Sequence, residues 1–231
     1  IALACLGMAA WVGSVVPADP RGRVPEGAFG LVRDTLASPR PWVLAATFGC
    51  YAGQWMGVFS FLPTLYTEAV IALALAGTLT ALGVVVNLAG NLSSGLLLQR
   101  GWSRVHLIAI AAVSMMLGAW LCFGSGAPFA IRYAGVLLFS AVGGLIPGTL
   151  FATTAAYAPH PRAVGTTTGL MQQGSTLGQF LTPPLIAAVA ASSGGWQHTG
   201  WVTGALALGD LLLAGVIARF DRTDRRRRAD A

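Results

Sequence analysis

Long uncharged apolar runs are the feature of this sequence that most restricts its fold. Five stretches contain no Asp, Glu, Lys or Arg: 41–67, 69–99, 105–131, 133–161 and 163–209. Only 10% of the 231 residues are charged, whereas soluble domains carry about a quarter. A helix crosses the hydrocarbon layer with about 20 residues, so every run is long enough to span a bilayer. The sequence therefore predicts a polytopic membrane protein.

Turn signals divide these runs into individual spans. The longest run exceeds one crossing, and Ser192-Ser193-Gly194-Gly195 interrupts it. Because backbone groups in lipid must bond within their own segment, the spans are predicted to be helices. The fold class is thus an all-α membrane bundle. Its six complete spans are predicted at 42–66, 71–98, 104–123, 129–156, 164–191 and 198–218.

The segments outside the bundle, which itself is assigned to 41–219, have their own signatures. Residues 1–17 are apolar and are interpreted as the end of a preceding transmembrane helix, so the chain is expected to be a fragment. Residues 18–40 are predicted to be a cytoplasmic linker, with a short amphipathic helix near 29–36 on the membrane surface. Residues 220–231 are predicted to be a disordered basic tail, drawn to anionic headgroups.

The positions of the arginines predict the orientation. All 14 basic residues are arginine, and 13 of them fall on one side of the six spans. Basic residues stay on the cytoplasmic side, so we expect a multi-pass inner-membrane protein with both ends of the bundle in the cytoplasm. This distribution explains the net charge of +6 without nucleic-acid binding. The exception, Arg132, either snorkels to headgroups or attracts an anionic substrate.

Small and polar residues inside the spans are candidates for packing or binding. Tyr51 and Gln54 are three residues apart and are predicted to share a face, and Asn87 and Asn91 are one turn apart. Such polar groups either hydrogen-bond between helices or line a cavity. Three spaced pairs of glycines are predicted to pack between helices: Gly83 and Gly90, Gly165 and Gly169, and Gly174 and Gly178. The last two pairs have the spacing of four that lets helices approach closely.

Six helices with short loops, preceded by a charged linker and a helix end, resemble the C-terminal half of a major facilitator superfamily transporter. The family carries a glycine and basic motif between the second and third helices of a half. Gly95, Arg100, Gly101 and Arg104 match this gating loop, while Gln99 stands where the family has Asp. The fifth span is similar to the eleventh helix of cyanate-permease-like members.

The resemblance implies that spans one, two, four and five face a central substrate cavity. It also implies a missing N-terminal half that supplies the other cavity wall. The function implied is secondary transport of a small organic solute or anion by alternating access. The alternative is a non-transporting membrane subunit or interaction protein. The cavity candidates are Tyr51, Gln54, Trp55, Asn87, Asn91, Thr149, Gln172 and Gln179.

Asp210 is the one carboxyl predicted near the middle of a span. Burying an ion there costs about 2.5 kcal/mol or more, so the group is expected to be protonated, paired or in contact with water. It is a possible proton-coupling residue, although the sixth span is expected to be peripheral. The histidines lie at span ends or in loops, and the chain has no lysine. We therefore predict no metal site, no cofactor and no enzymatic activity.

Overall fold

Helices account for nearly all of the chain that this computed structural model describes, namely residues 2–15, 27–124 and 126–230. The apolar N-terminal stretch forms helix α1, and residues 18–26 of the predicted linker lie outside the described ranges. A bundle of helices follows, which confirms the all-α fold class. The helices are α1 (Ala2–Val15), α2 (Ala28–Ala37), α3 (Pro39–Phe59), α4 (Leu62–Glu68), α5 (Leu73–Gln99), α6 (Arg104–Ala119), α7 (Phe129–Gly143), α8 (Leu145–Tyr157), α9 (Val164–Ser193) and α10 (Gly200–Ala229).

Four helical stretches of the described residues are long and apolar enough to cross a membrane. They are Leu73–Gln99, Arg104–Gly124, Phe129–Tyr157 and Trp196–Arg227. These stretches correspond to the predicted second, third, fourth and sixth spans. Helix α9 covers the predicted fifth span, whereas the predicted first span 42–66 is interrupted by a turn at residues 60–61 and is divided between α3 and α4. Both α3 and α9 are richer in glycine and polar residues. The total of six spans stays a prediction.

The C-terminal segment differs from the prediction. The chain beyond residue 220 was expected to be disordered, but α10 continues as a helix to Ala229. That prediction is wrong because two acidic residues of the segment pair with neighbouring helices. Asp224 contacts Arg40, and Asp221 contacts Arg104. These contacts hold the end of α10 against the starts of α3 and α6.

The short linker helix is confirmed and packs against the start of α9. Thr35 on α2 is buried, and its Oγ1 lies 2.8 Å from Oγ1 of Thr166. Beside it, the Asp34 carboxylate lies 3.5 Å from Nε2 of His160. The opposite face of α2 is exposed and apolar, with Phe29 at its start. The linker therefore contacts the bundle through its polar face.

The closest helix pair of the bundle is α3 with α9. A Cβ added to Gly53 would lie 2.5 Å from Thr182 Oγ1, and one added to Gly178 would collide with the Gly49 carbonyl oxygen. The predicted close packing at Gly174 and Gly178 is thus confirmed. The contacts of the facing glycines of α3, which are spaced four apart, were not predicted from the sequence. These glycines are Gly49, Gly53 and Gly57.

A second close contact joins α5 to the α7–α8 pair, but one predicted glycine pair does not pack within the described residues. An added Cβ at Gly90 would collide with the Ala141 carbonyl oxygen, and one at Gly83 would lie 2.9 Å from Phe59. At Gly165 and Gly169, by contrast, an added Cβ meets no described atom within 4 Å. That pair has no packing partner among the described residues, because this face of α9 is open, and its packing stays a prediction.

The apolar core lies between α3, α6, α7, α8 and α10. Its fully buried members come from every one of these helices: Leu44, Ile108, Met115, Phe139, Ile146 and Ile217. Close packing around these side chains fixes how each helix is rotated about its own axis. That rotation decides which polar residues face the cavity described next.

Candidate functional site

A cavity of about 260 Å³ lies between α3, α5, α8 and α9. These helices belong to the four predicted spans that were expected to surround a central cavity. Five of the eight predicted residues line it, together with Phe48, Ala52, Pro147 and Ser175. The five predicted residues that the structure brings together here are Tyr51, Trp55, Asn87, Asn91 and Gln179.

Hydrogen bonds hold the amide side chains of the cavity wall. Nδ2 of Asn87 donates to Tyr51 Oη at 3.1 Å and to the Ser140 carbonyl at 2.9 Å. Nδ2 of Asn91 donates to Oδ1 of Asn87 at 2.8 Å. On the α9 side of the cavity, Nε2 of Gln179 donates to Ser175 Oγ at 3.0 Å. This part of the wall is therefore polar, uncharged and fixed by its own hydrogen bonds.

Trp55 supplies an aromatic surface beside these amides. Its ring stacks on Phe59 with a centroid distance of 4.4 Å, which fixes the orientation of the indole. Its Nε1–H group has no acceptor among the described residues. A cavity with an aromatic face and a few polar groups is typical of sites for small organic molecules.

Three predicted residues do not reach the cavity. Gln54 is buried against α10, Thr149 is buried within the bundle, and Gln172 is exposed on α9. Gln54 and Tyr51 were predicted to share a face, but side chains three residues apart on a helix diverge by about 60°, and here they meet different neighbouring helices. Tyr51 contacts α5, whereas Gln54 contacts α10.

Gln54 and Asp210 form a buried polar pair between α3 and α10. Nε2 of Gln54 donates to Oδ2 of Asp210 at 2.9 Å, and both side chains are fully buried. Oε1 of Gln54 and Oδ1 of Asp210 have no partner among the described residues. Because Gln54 lies between Tyr51 and Trp55 in the sequence, one turn of α3 touches both the cavity and the carboxyl group.

The predicted gating loop connects α5 to α6. Gly101 has φ +86°, in the left-handed region that favours glycine, and Ser103 Oγ accepts the His106 N–H at 3.2 Å. Nε of Arg104 lies 3.7 Å from Oδ2 of Asp221 at the end of α10. Arg100 is exposed, and an added Cβ at Gly95 meets nothing. Gln99 stands where the family has an acidic residue in this loop. The acidic partner of the loop is instead Asp221 of α10.

Tyr157 is the centre of a charged group at this end of the bundle. The guanidinium carbons of Arg40 and Arg104 each lie 5.5 Å from its ring centroid. Its hydroxyl donates to Oδ1 of Asp221 at 3.0 Å, and Nη2 of Arg40 contacts Oδ1 of Asp224 at 2.6 Å. This group was not predicted from the sequence, although its members stand at the ends of apolar runs.

Arg40→Gln is expected to lower the free energy of unfolding by about 1 kcal/mol, since partly exposed ion pairs contribute roughly 0–1 kcal/mol and ring contacts add to this. The loss should shrink at high salt, where the pair is screened. Thermal unfolding of the intact protein at low and high salt measures both effects. Arg33→Gln is the control, because Arg33 is exposed and has no described ion-pair partner. Equal losses in the two variants would contradict the prediction.

Arg132 lies at the opposite end of the bundle, away from the cavity. Its Nε donates to the Cys122 carbonyl at 2.8 Å, within the π-helical turn Trp120–Gly124. A π turn shifts carbonyls out of the α-helical bonding pattern, which leaves an acceptor for the guanidinium. Arg132 also lines a separate cavity of about 310 Å³ with Glu68 and Trp196.

Apolar helices long enough to cross a bilayer, packed around a cavity that no charged side chain lines, define an integral multi-pass membrane protein. Residues 43–231 match the sequence model of the Major Facilitator Superfamily. The chain therefore belongs to this family, whose members are membrane secondary transporters rather than enzymes. No curated protein matches the chain. The likeness to cyanate-permease-like members stays a prediction.

Proposed function

We propose that the protein moves a small organic solute or anion across the inner membrane by alternating access. The observation that supports this proposal is the cavity between α3, α5, α8 and α9, whose lining residues include no charged side chain. The side-chain oxygens of Asn91 and Gln179 accept no hydrogen bond from a described residue and so offer acceptors, and Trp55 offers an aromatic face. Such a surface suits a neutral or singly charged solute that carries hydrogen-bonding groups.

The other wall of the cavity is proposed to come from an N-terminal half. Two of the helices that line the cavity carry exposed apolar side chains: Leu88 and Leu92 of α5, and Leu177 and Leu181 of α9, are each more than half exposed. Gly165 and Gly169 on α9 also lack a packing partner among the described residues. A second bundle packed against these faces would enclose the cavity, and the two halves would rock about it.

Both ends of the bundle are proposed to face the cytoplasm. Arg40 and Arg104 at the starts of α3 and α6 contact the arginine-rich end of α10. A surplus of arginine at one end of a membrane bundle favours the cytoplasmic side. Arg132 lies at the opposite end of the bundle from the other arginines. Its hydrogen bond to the Cys122 carbonyl supports a role in holding the backbone of that turn.

Asp210 is proposed to couple transport to protons. A carboxyl group is the chemical group that binds and releases a proton in many membrane pathways. Here its partner Gln54 belongs to the same turn of α3 as Tyr51 and Trp55 of the cavity wall. A change in proton occupancy at Asp210 would alter the hydrogen bond to Gln54 and thereby the position of that turn.

Substitution of cavity amides tests the proposed binding surface. A thermal-shift screen of small organic solutes on the intact protein identifies a stabilising solute. Asn91→Leu and Gln179→Leu are each expected to weaken its binding by about tenfold, because a lost hydrogen bond costs about 1 kcal/mol or more. Gln173→Leu is the matched control, since Gln173 lies on α9 outside the cavity lining.

Uptake of the same solute into proteoliposomes separates the transporter from the alternative. If the solute binds but is never accumulated or exchanged, the protein is a non-transporting membrane subunit. If Gln173→Leu weakens binding as strongly as the cavity variants, this cavity is not the binding surface.

A further inference from the structure

A basic cavity of about 270 Å³ lies between the start of α6 and the end of α10. It is separate from the proposed substrate cavity, which lies between other helices. Its lining residues come only from these two segments: Ser103, Val105, His106, Ala218, Asp221, Arg222 and Arg225.

The charges around this cavity favour an anionic ligand. Arg222 and Arg225 lie one turn apart on α10, and neither forms an ion pair with a described residue. The carboxylate of Asp221 is already engaged, by Nε of Arg104 at 3.7 Å and by the Tyr157 hydroxyl at 3.0 Å. Two guanidinium groups are therefore available to the cavity, and guanidinium binds phosphate oxygens with paired hydrogen bonds.

The turns of α6 and α10 next to the cavity expose apolar side chains, including Ile110, Val113 and Leu212. A ligand that covers both the arginines and this surface is amphipathic. A groove of about 380 Å³ that includes Met116 and Trp201 lies farther along the same two helices, towards the opposite end of the bundle. Met116 lies ten residues beyond His106 on α6, which is about 15 Å along a helix axis. That distance is half of the roughly 30 Å hydrocarbon layer, the depth that the acyl chains of one leaflet occupy.

We propose that this cavity binds the headgroup phosphate of an anionic phospholipid, whose acyl chains lie along the seam between α6 and α10. Arg222 and Arg225 hold the phosphate, and the apolar seam holds the chains. A soluble phosphate ester offers the charge but has no group for the seam. This inference rests on the membrane-spanning fold and holds whether or not the proposed transport activity is correct.

Lipid retention by the intact protein tests the site. Protein in detergent is mixed with phosphatidylglycerol or phosphatidylcholine of identical acyl chains, and bound lipid is counted by native mass spectrometry. The double variant Arg222→Gln/Arg225→Gln is expected to retain phosphatidylglycerol about tenfold less than the unmodified protein, because both phosphate-binding groups are removed. Arg226→Gln/Arg227→Gln is the matched control: it removes the same charge from the same helix but not from the cavity lining.

The expected pattern is loss in the first double variant, unchanged retention in the control, and partial rescue in Arg222→Lys/Arg225→Lys. Equal loss in both double variants would show that tail charge acts without a site, which overturns the proposal. Equal retention of phosphatidylcholine, or displacement of the lipid by millimolar glycerol phosphate, would also overturn it. The thermal stability of each lipid-free variant, compared with the control, separates lost binding from a damaged fold.

Discussion

Gly178→Ala is expected to lower the free energy of unfolding by about 1–3 kcal/mol, the cost of overpacking a close contact. The added methyl group would collide with the backbone carbonyl oxygen of Gly49. A backbone atom cannot change rotamer to make room, so α3 and α9 must move apart. That separation would also loosen the cavity, which both helices line. Thermal unfolding of the intact protein in detergent measures the loss.

Gly215→Ala is the matched control for this substitution. Gly215 lies within α10, and an added Cβ there meets no described atom within 4 Å. Gly215→Ala adds the same methyl group and raises the helix propensity by the same amount as Gly178→Ala. The thermal midpoint of unfolding should therefore be unchanged or slightly higher. Equal midpoints for Gly178→Ala and the unmodified protein would mean that α3 and α9 are not in close contact.

Asp210→Asn is expected to reduce proton-driven uptake by at least about tenfold, because an amide cannot carry a proton between the two sides. Asparagine keeps the size of the side chain and an oxygen that accepts from Gln54. Solute binding and solute–solute exchange should therefore persist. Proteoliposomes that contain the intact protein, with and without an imposed pH gradient, separate these activities.

Asp230→Asn is the control for the loss of a carboxylate from α10, since Asp230 is exposed at the helix end. It should leave uptake unchanged at every gradient. Unchanged proton-driven uptake in Asp210→Asn would rule out the proton-carrying role. Loss of solute binding as well as uptake would assign Asp210 a structural role instead, because the buried pair with Gln54 would then be needed for the folded cavity.

The limits of the helices were predictable from local sequence. The predicted spans 71–98 and 129–156 differ by at most two residues at either end from the helical stretches Leu73–Gln99 and Phe129–Tyr157. Charged residues and Gly or Pro breaks end each apolar run, and these signals act on adjacent residues. The gating loop was located for the same reason, since its glycine and arginines are close together in the chain.

Contacts between distant residues were not predictable in this way. Gln54 and Asp210 are 156 residues apart, and their hydrogen bond depends on how α3 is rotated against α10. The helical end of α10 also needed partners elsewhere, because Asp224 pairs with Arg40 of α3. A sequence pattern gives the face of one helix but not the neighbour that this face meets.

The sequence alone determined the all-α membrane class and the limits of most helices, because few charges in long apolar runs allow no other arrangement. Tertiary structure decided which polar residues share a site. Glycine contacts between α3 and α9 set the rotation of α3, so that Tyr51 meets Asn87 at the cavity while Gln54, three residues later, is buried against Asp210. Rotation of this kind arises from packing across the bundle, which no single span encodes.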